Sequence, residues 1–104
     1  MDTEKVHINV HVDTLKYILH CFLFDITKLI DLVLDDSEED PQYSAVTANN
    51  EIKCYIQIMQ DIGAEIDYKD VKGFFKSKHY TEEEYQLFEK KRTKESEYYI
   101  GYQF

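Results

Sequence analysis

A long apolar segment between residues 15 and 34 is the feature that most constrains the fold of this chain. Apolar groups lie on a second side of this predicted helix as well, at Tyr17, Cys21, Phe24 and Leu32. Only a narrow polar strip remains, so we expect the helix to be covered on more than one side. Either it is the central helix of the domain, or one of its sides meets another chain. The main stripe has the i, i+3, i+4 spacing of an amphipathic helix and comprises Leu15, Ile18, Leu19, Phe22, Ile26, Leu29, Ile30 and Val33.

Alternating segments near both ends of the chain predict short β-strands. Residues 5 to 12, KVHINVHV, alternate between apolar and polar side chains, as in a half-buried strand. The tail from residue 98 to 104, YYIGYQF, alternates in the same way and is expected to pair with the first strand. Asp13 or Thr14 is then the expected N-cap of the apolar helix.

Three further helices are predicted between these strands. The second helix covers roughly residues 45 to 62, and Gly63 stands where a C-terminal cap belongs. A shorter helix starts near Asp67, and Thr81 with Glu84 has the spacing of a capping box before the last helix. The sequence therefore predicts a mainly α (α+β) fold. We expect a single domain of residues 1 to 104, with about four helices around a central apolar first helix.

The net charge of −9 is concentrated in one part of the chain. Residues 31 to 51 hold seven acids and no base, whereas the residues before and after this window are nearly balanced. A strongly acidic surface repels nucleic-acid phosphates and anionic membranes, and it attracts basic surfaces. We therefore expect a basic protein partner, and no direct binding to nucleic acid or to a membrane.

The residue types that commonly carry out chemistry do not form a motif in this chain. On one face of a strand, His7 and His11 would be about 13 Å apart at roughly 3.3 Å per residue, too far to share one metal ion. Cys21 and Cys54 fall in apolar helical segments, where a buried thiol is unreactive. The acidic segment lacks the central glycine of a calcium-binding EF-hand loop. We expect no enzymatic activity, no cofactor and no metal site.

Two features of the sequence bear on its cellular location. The beginning of the chain, MDTEKVHINV, lacks the basic region and the apolar core of a signal peptide. The long apolar segment carries Lys16, Asp25, Lys28 and Asp31, whose charges are costly in a bilayer. We therefore expect a cytoplasmic protein with reduced thiols.

The acidic stretch DLVLDDSEEDPQYS, residues 31 to 44, has two interpretations. It is either a solvated connection between two helices or a binding surface. A binding surface is favoured because its first acids lie at the negative C-terminal end of a helix, where they are mildly destabilising, and no base is near them in sequence. Tyr43 adds an aromatic anchor beside the acids. The candidate partner-binding residues are Asp31, Asp35, Asp36, Glu38, Glu39, Asp40 and Tyr43.

Three functions fit this pattern. The first is a small acidic inhibitor that occludes a basic partner, with carboxylates in place of substrate phosphates; its preferred form is an immunity protein, or antitoxin, that neutralises a nuclease-type toxin. The alternative is a DNA-mimic phage inhibitor of a host nucleic-acid-binding defence enzyme, although a mimic is expected to spread its acids along one face. A non-catalytic structural or adaptor subunit, including a homodimer, would instead use the first helix and the tyrosine-rich tail as its contacts.

Overall fold

Four helices make up the regular structure of residues 5–35 and 39–93, the parts of the chain that the computed structural model describes. They are α1 (Val12–Leu34), α2 (Pro41–Asp61), α3 (Val71–Ser77) and α4 (Glu82–Thr93). The prediction of a mainly α fold with about four helices is confirmed. The predicted C-terminal strand, residues 98 to 104, lies outside the described residues.

Aspartate side chains set where α2 and α3 begin. A carboxylate oxygen of Asp40 accepts a hydrogen bond from the backbone N–H of Tyr43 over 3.2 Å, and Pro41 takes the first position of α2. Asp70 caps α3 in the same way, through the N–H of Gly73 at 2.8 Å. These interactions satisfy helix N–H groups that have no partner inside the helix. Both helices therefore start at positions that short-range chemistry determines.

The predicted capping box at the start of α4 is also present. The N–H of Glu84 donates to the hydroxyl of Thr81 over 3.0 Å, and the N–H of Thr81 donates to the Glu84 carboxylate over 2.8 Å. At the other end of α2, Gly63 has a φ of 74°, and its N–H donates to the carbonyl of Gln60 over 3.1 Å. This left-handed conformation ends the helix where the sequence predicts a cap.

The core lies mainly between α1 and α2, which pack on each other more extensively than any other pair of helices. It includes branched side chains from α1 and, from α2, two alanines beside larger residues such as Ile52 and Ile56, and α4 contacts both helices. Alanines at the contact allow two helix backbones to approach closely. The buried residues of these two helices include Ile26, Ile30, Val33, Ala45, Ala48 and Ile52.

Aromatic rings attach α3 and α4 to this pair. The ring of Phe75, on α3, lies 4.7 Å from that of Phe88, on α4, and 5.2 Å from that of Tyr85. Phe74 extends the contact to α2 through Tyr55, with 6.0 Å between ring centroids. Edge-on and tilted aromatic pairs of this kind contribute beyond the area they bury. A helix of only seven residues is thus held by its side chains rather than by its own backbone hydrogen bonds.

The predicted N-terminal strand is wrong. Residues 5 to 11 have no regular structure and are exposed, and α1 begins at Val12 with no side-chain N-cap, so that Asp13 and Thr14 lie inside the helix. An alternating pattern shows which side a strand would bury, but a strand also needs a partner for its N–H and C=O groups. Lys5 instead lies at the end of α2, with 3.6 Å between its ammonium and the Asp61 carboxylate.

The described residues of this chain do not cover α1 on more than one side. Of the two expected ways to cover it, the central-helix one is therefore wrong, and contact with another chain stays a prediction. Ile26, Ile30 and Val33 are buried in the core, whereas Tyr17, Phe24 and other groups of the second side are exposed. Among the other helices, α2 and α4 pack on α1, and α3 packs on α2 and α4. Burial of the second side would therefore need something beyond the described part of this fold.

Candidate functional site

Five of the seven predicted partner-binding residues lie at the corner between the end of α1 and the start of α2. We call this surface the acidic corner and define it by Asp31, Asp35, Glu39 and Asp40, all of which are exposed. Asp31 lies in the last turn of α1 and Asp35 follows its end, while Glu39 and Asp40 precede α2. Tyr43, in the first turn of α2, is 66% exposed. Asp36 and Glu38 lie outside the described residues.

Two acids of the corner also support the fold. Asp40 is the N-cap of α2, as described above, and its negative charge lies at the positive end of that helix. Asp31 accepts a hydrogen bond from the hydroxyl of Tyr80 over 3.4 Å. Burial, followed by the neighbouring Asp31 carboxylate, raises the pKa of Tyr80 to about 12, so this hydroxyl stays protonated and available as a donor.

The sequence pattern missed a base that folding brings to the corner. The ammonium of Lys91, on α4, donates to the carbonyl of Val33 over 2.7 Å, close to where α1 ends. A cation at the C-terminal end of a helix is favourable because it opposes the negative end of the helix dipole. Lys91 is 58 residues from Val33 along the chain, but folding brings its ammonium to the Val33 carbonyl. The expectation that the acids have no base nearby is therefore wrong in the folded protein.

Glu51 belongs to the acidic window of the sequence but not to the acidic corner. It lies within α2, close to the carboxyl group of Asp25 on α1. Burial is the main cause, and Asp25 the second, of a Glu51 pKa raised to about 7. Near neutral pH this carboxyl group is therefore only partly ionised, and it adds less negative charge than the sequence suggests.

A second candidate surface is the outer face of α1, which we define by Tyr17, Cys21, Phe24 and Leu32. The side chains of Tyr17 and Phe24 are 69% and 65% exposed, which is unusual for two aromatic groups on one face. Cys21 lies between them and is exposed as well. Exposed apolar groups on one face mark surfaces that contact other molecules, although here the exposed Lys28 lies between Phe24 and Leu32.

A third candidate is a cleft of about 400 Å³ between α2, the segment before α3, and α4. Four bases line it, one from each neighbouring part of the chain. They are Lys53 from α2, Lys69 from the segment before α3, Lys72 from α3 and Arg92 from α4. We call it the basic cleft. Its lining also includes Asn49, a polar residue that is only 8% exposed. Nothing in the local sequence pattern predicts it, because its residues span more than forty positions.

The histidines and cysteines do not converge. His7 and His11 are exposed in the irregular segment before α1. Cys21 and Cys54 are free thiols on exposed helix positions, so the expectation that they are buried is wrong. Within residues 5–35 and 39–93, no group of three or more histidine, cysteine, aspartate or glutamate side chains is placed to hold a metal ion.

Comparisons of the chain with protein-family models, with curated proteins and with solved structures give no match. The described residues form four helices. None of these helices has both the length and the apolar character that crossing a membrane requires.

Proposed function

We propose that the chain is a small non-catalytic protein that binds a basic partner through the acidic corner and Tyr43. The observation that carries this proposal is the exposure of four carboxylates and one aromatic side chain at a single corner of the fold. Asp35 is the C-cap residue of α1 through its backbone N–H, whereas Glu39 is exposed and does not cap a helix. Glu39 thus has no capping role that would account for its position.

The physical role of such a surface is to guide and hold a positively charged partner. Clustered charges raise the rate of encounter, and an aromatic ring supplies contact area at low entropic cost. Carboxylates can also occupy the places where a nuclease binds phosphates. Among proteins that work in this way, we favour an immunity protein that neutralises a nuclease-type toxin over a DNA mimic, because the acids cluster rather than follow one face.

The test begins with partner capture on the immobilised chain, followed by association kinetics with the captured protein. The test variant removes five acids around the corner and keeps the Asp40 cap as asparagine: Asp35→Asn, Asp36→Asn, Glu38→Gln, Glu39→Gln and Asp40→Asn. The control variant removes five exposed acids elsewhere: Asp13→Asn, Asp61→Asn, Glu65→Gln, Asp67→Asn and Glu83→Gln.

The two variants have the same net charge, so they separate local recognition from overall attraction. We expect the corner variant to associate about tenfold or more slowly at low salt, and the control variant to change much less. The difference should shrink as salt is raised, because exposed charges are screened beyond about 8 Å at physiological ionic strength. Equal association rates for the two variants would remove the acidic corner from the interface. A nuclease-inhibition assay with the captured partner then tests the immunity role.

The outer face of α1 favours a second candidate function, that of a structural subunit. We propose that this face packs against the same face of a second copy, with the two α1 helices antiparallel. A parallel pair would place two acidic corners side by side, which like-charge repulsion opposes. In an antiparallel pair centred between His20 and Cys21, the exposed Asp13 of one copy lies level with Lys28 of the other.

Sedimentation at micromolar concentrations tests this pairing. The Phe24→Asp variant should be monomeric, whereas Tyr43→Asp, at an equally exposed aromatic residue, should leave the dimer intact. The direction of the helices follows from oxidative crosslinking in a background with both natural cysteines changed to serine. Mixed Asp13→Cys and Lys28→Cys chains should crosslink to each other, and neither should crosslink to itself. A parental chain that is monomeric at about 100 μM would rule out a dimer of useful strength.

A further inference from the structure

We infer that the basic cleft binds a small organic anion that carries two or more phosphate or carboxylate groups. The chain as a whole is acidic, with a net charge of −9, yet four bases and two acids line this cleft. Four separate parts of the fold, three helices and the segment before α3, contribute one base each. A locally positive cleft in an acidic protein concentrates anions that the rest of the surface repels.

The two acids in the cleft are already bound to protein groups. Asp70 accepts the N–H of Gly73 over 2.8 Å as the cap of α3. Glu89 accepts two hydrogen bonds from the guanidinium of Arg92, at 3.0 and 2.6 Å. Each carboxylate therefore has a role in the fold, and neither is needed to neutralise a lysine of the cleft.

The lysines, in contrast, remain available to a ligand. Lys72 makes one long, exposed ion pair with Glu82, at 3.7 Å, and its ammonium lies 5.9 Å from the centroid of the Tyr85 ring; exposed contacts of this kind contribute little. Within the described part of the chain, Lys53 and Lys69 take part in none of the ion pairs or hydrogen bonds. Ammonium groups that converge on one space from different elements are suited to phosphate or carboxylate oxygens.

The buried lining of the cleft adds a second, independent indication of a ligand. Asn49 is only 8% exposed as a whole residue. Its side-chain amide lines the cleft and has no hydrogen-bond partner among the described residues. The amide atoms are not buried without a partner, since among the described residues only Glu51 Oε1 is, so this amide is accessible from the cleft and can donate to an anion there. Ile56, Val71 and the ring of Tyr85 provide apolar contacts for an attached organic part. The volume, about 400 Å³, is within the range of small-molecule sites.

Calorimetric titration at constant ionic strength tests this inference with three probes: pyrophosphate, adenosine diphosphate and citrate. We expect saturable binding of one probe molecule per chain. Tighter binding of adenosine diphosphate would identify an organic phosphate as the ligand, and tighter binding of citrate a polycarboxylate. The double variant Lys53→Gln, Lys69→Gln should weaken binding about tenfold or more. The matched control, Lys16→Gln with Lys28→Gln, removes two exposed lysines of α1 and should leave the affinity within about twofold.

A third variant tests the side-chain amide of Asn49 directly. Asn49→Asp keeps the size of the side chain and places a carboxylate at the same position, so it should abolish anion binding while thermal unfolding shows that the fold persists. Absence of saturable binding for all three probes up to about 5 mM would overturn the inference. An equal loss in the two lysine variants would also overturn it, since only the overall charge would then matter. None of these residues belongs to the acidic corner, so the two proposals can fail separately.

Discussion

The carboxyl groups of Glu51 and Asp25 lie close together between α2 and α1, and the Glu51 oxygen Oε1 is buried without a hydrogen-bond partner among the described residues. Two ionised carboxylates in this position would repel each other, and the Glu51 carboxylate would also lose hydration. A proton on Glu51 removes both penalties, because the protonated group can donate to its neighbour. Glu51 therefore holds a proton more tightly than an exposed glutamate does, at the contact between the two longest helices.

This arrangement predicts that stability falls as the pH rises from about 4.5 to about 7. The pKa of Glu51 is about 7 in the folded protein and is near its ordinary value of 4.5 in the unfolded chain, so the folded state binds the proton more tightly. The stabilisation is complete below the unfolded value and is lost as the pH passes the folded value. Glu51→Gln should therefore raise the free energy of unfolding at pH 8 by about 1–2 kcal/mol, since partial exposure reduces the effect.

Denaturant unfolding at pH 5 and pH 8 measures this difference. Glu65→Gln is the control, because it removes the same charge from an exposed position away from Asp25. The control should shift stability equally little at both pH values. A Glu51→Gln variant that gains no more stability at pH 8 than the control would show that the carboxyl pair does not govern the pH dependence.

Phe75 is expected to be the most sensitive position of the α3–α4 contact. Its ring is fully buried and lies within 5.2 Å of the rings of Tyr80, Tyr85 and Phe88. Phe75→Ala should lower the free energy of unfolding by about 3–5 kcal/mol, through lost burial and the cavity that remains. Phe24→Ala removes the same atoms from an exposed position and should change it by about 0.5 kcal/mol or less in dilute protein. Similar losses at both positions would contradict the assigned core.

Features that depend on residues a few positions apart were predictable from the sequence. The capping box of Thr81 and Glu84 and the left-handed Gly63 are present where short-range patterns predict them. Each needs only a local backbone conformation and one or two hydrogen bonds, which neighbouring residues supply. The existence of four helices follows in the same way from caps and apolar spacing.

Features that depend on distant residues were not predictable. The pattern KVHINVHV specifies the alternation of a strand but not a partner, and in the described residues the segment is irregular. The contact of Lys91 with Val33 joins positions 58 residues apart, and the basic cleft likewise combines three elements. The pattern of α1 shows two apolar sides, but only the packing of the other helices determines which side is covered.

Asp40 provides a test of how far the acidic corner serves the fold. Asp40→Ala removes the oxygen that accepts the N–H of Tyr43 and should lower the free energy of unfolding by about 1 kcal/mol. Asp40→Asn keeps an oxygen in the same place and should be nearly neutral. Glu39→Ala removes one neighbouring exposed acid that does not cap the helix, and it should change stability by about 0.5 kcal/mol or less. Equal effects of the two alanine variants in thermal unfolding would mean that the cap contributes nothing.

Gly73, inside α3, is expected to reverse the usual preference of helices for alanine. In an exposed helix, replacing glycine by alanine gains about 1 kcal/mol. A Cβ on residue 73, however, would lie 2.8 Å from the Cβ of Tyr68 and 3.1 Å from a carboxylate oxygen of Asp70. The first of these atoms is joined directly to the backbone and cannot move aside without shifting the segment before the helix.

We therefore expect Gly73→Ala to lower the free energy of unfolding by about 1–3 kcal/mol, because overpacking outweighs the gain in helix propensity. Lys76→Ala, at an exposed position of the same helix, is the control and should be close to neutral. Denaturant unfolding of both variants at one pH measures the difference. Tyr68 also contacts Phe74, with 5.7 Å between their ring centroids, so a displaced Tyr68 should loosen the attachment of α3 as well. If Gly73→Ala instead stabilises the protein, the close approach of Tyr68 to the helix does not exist in solution.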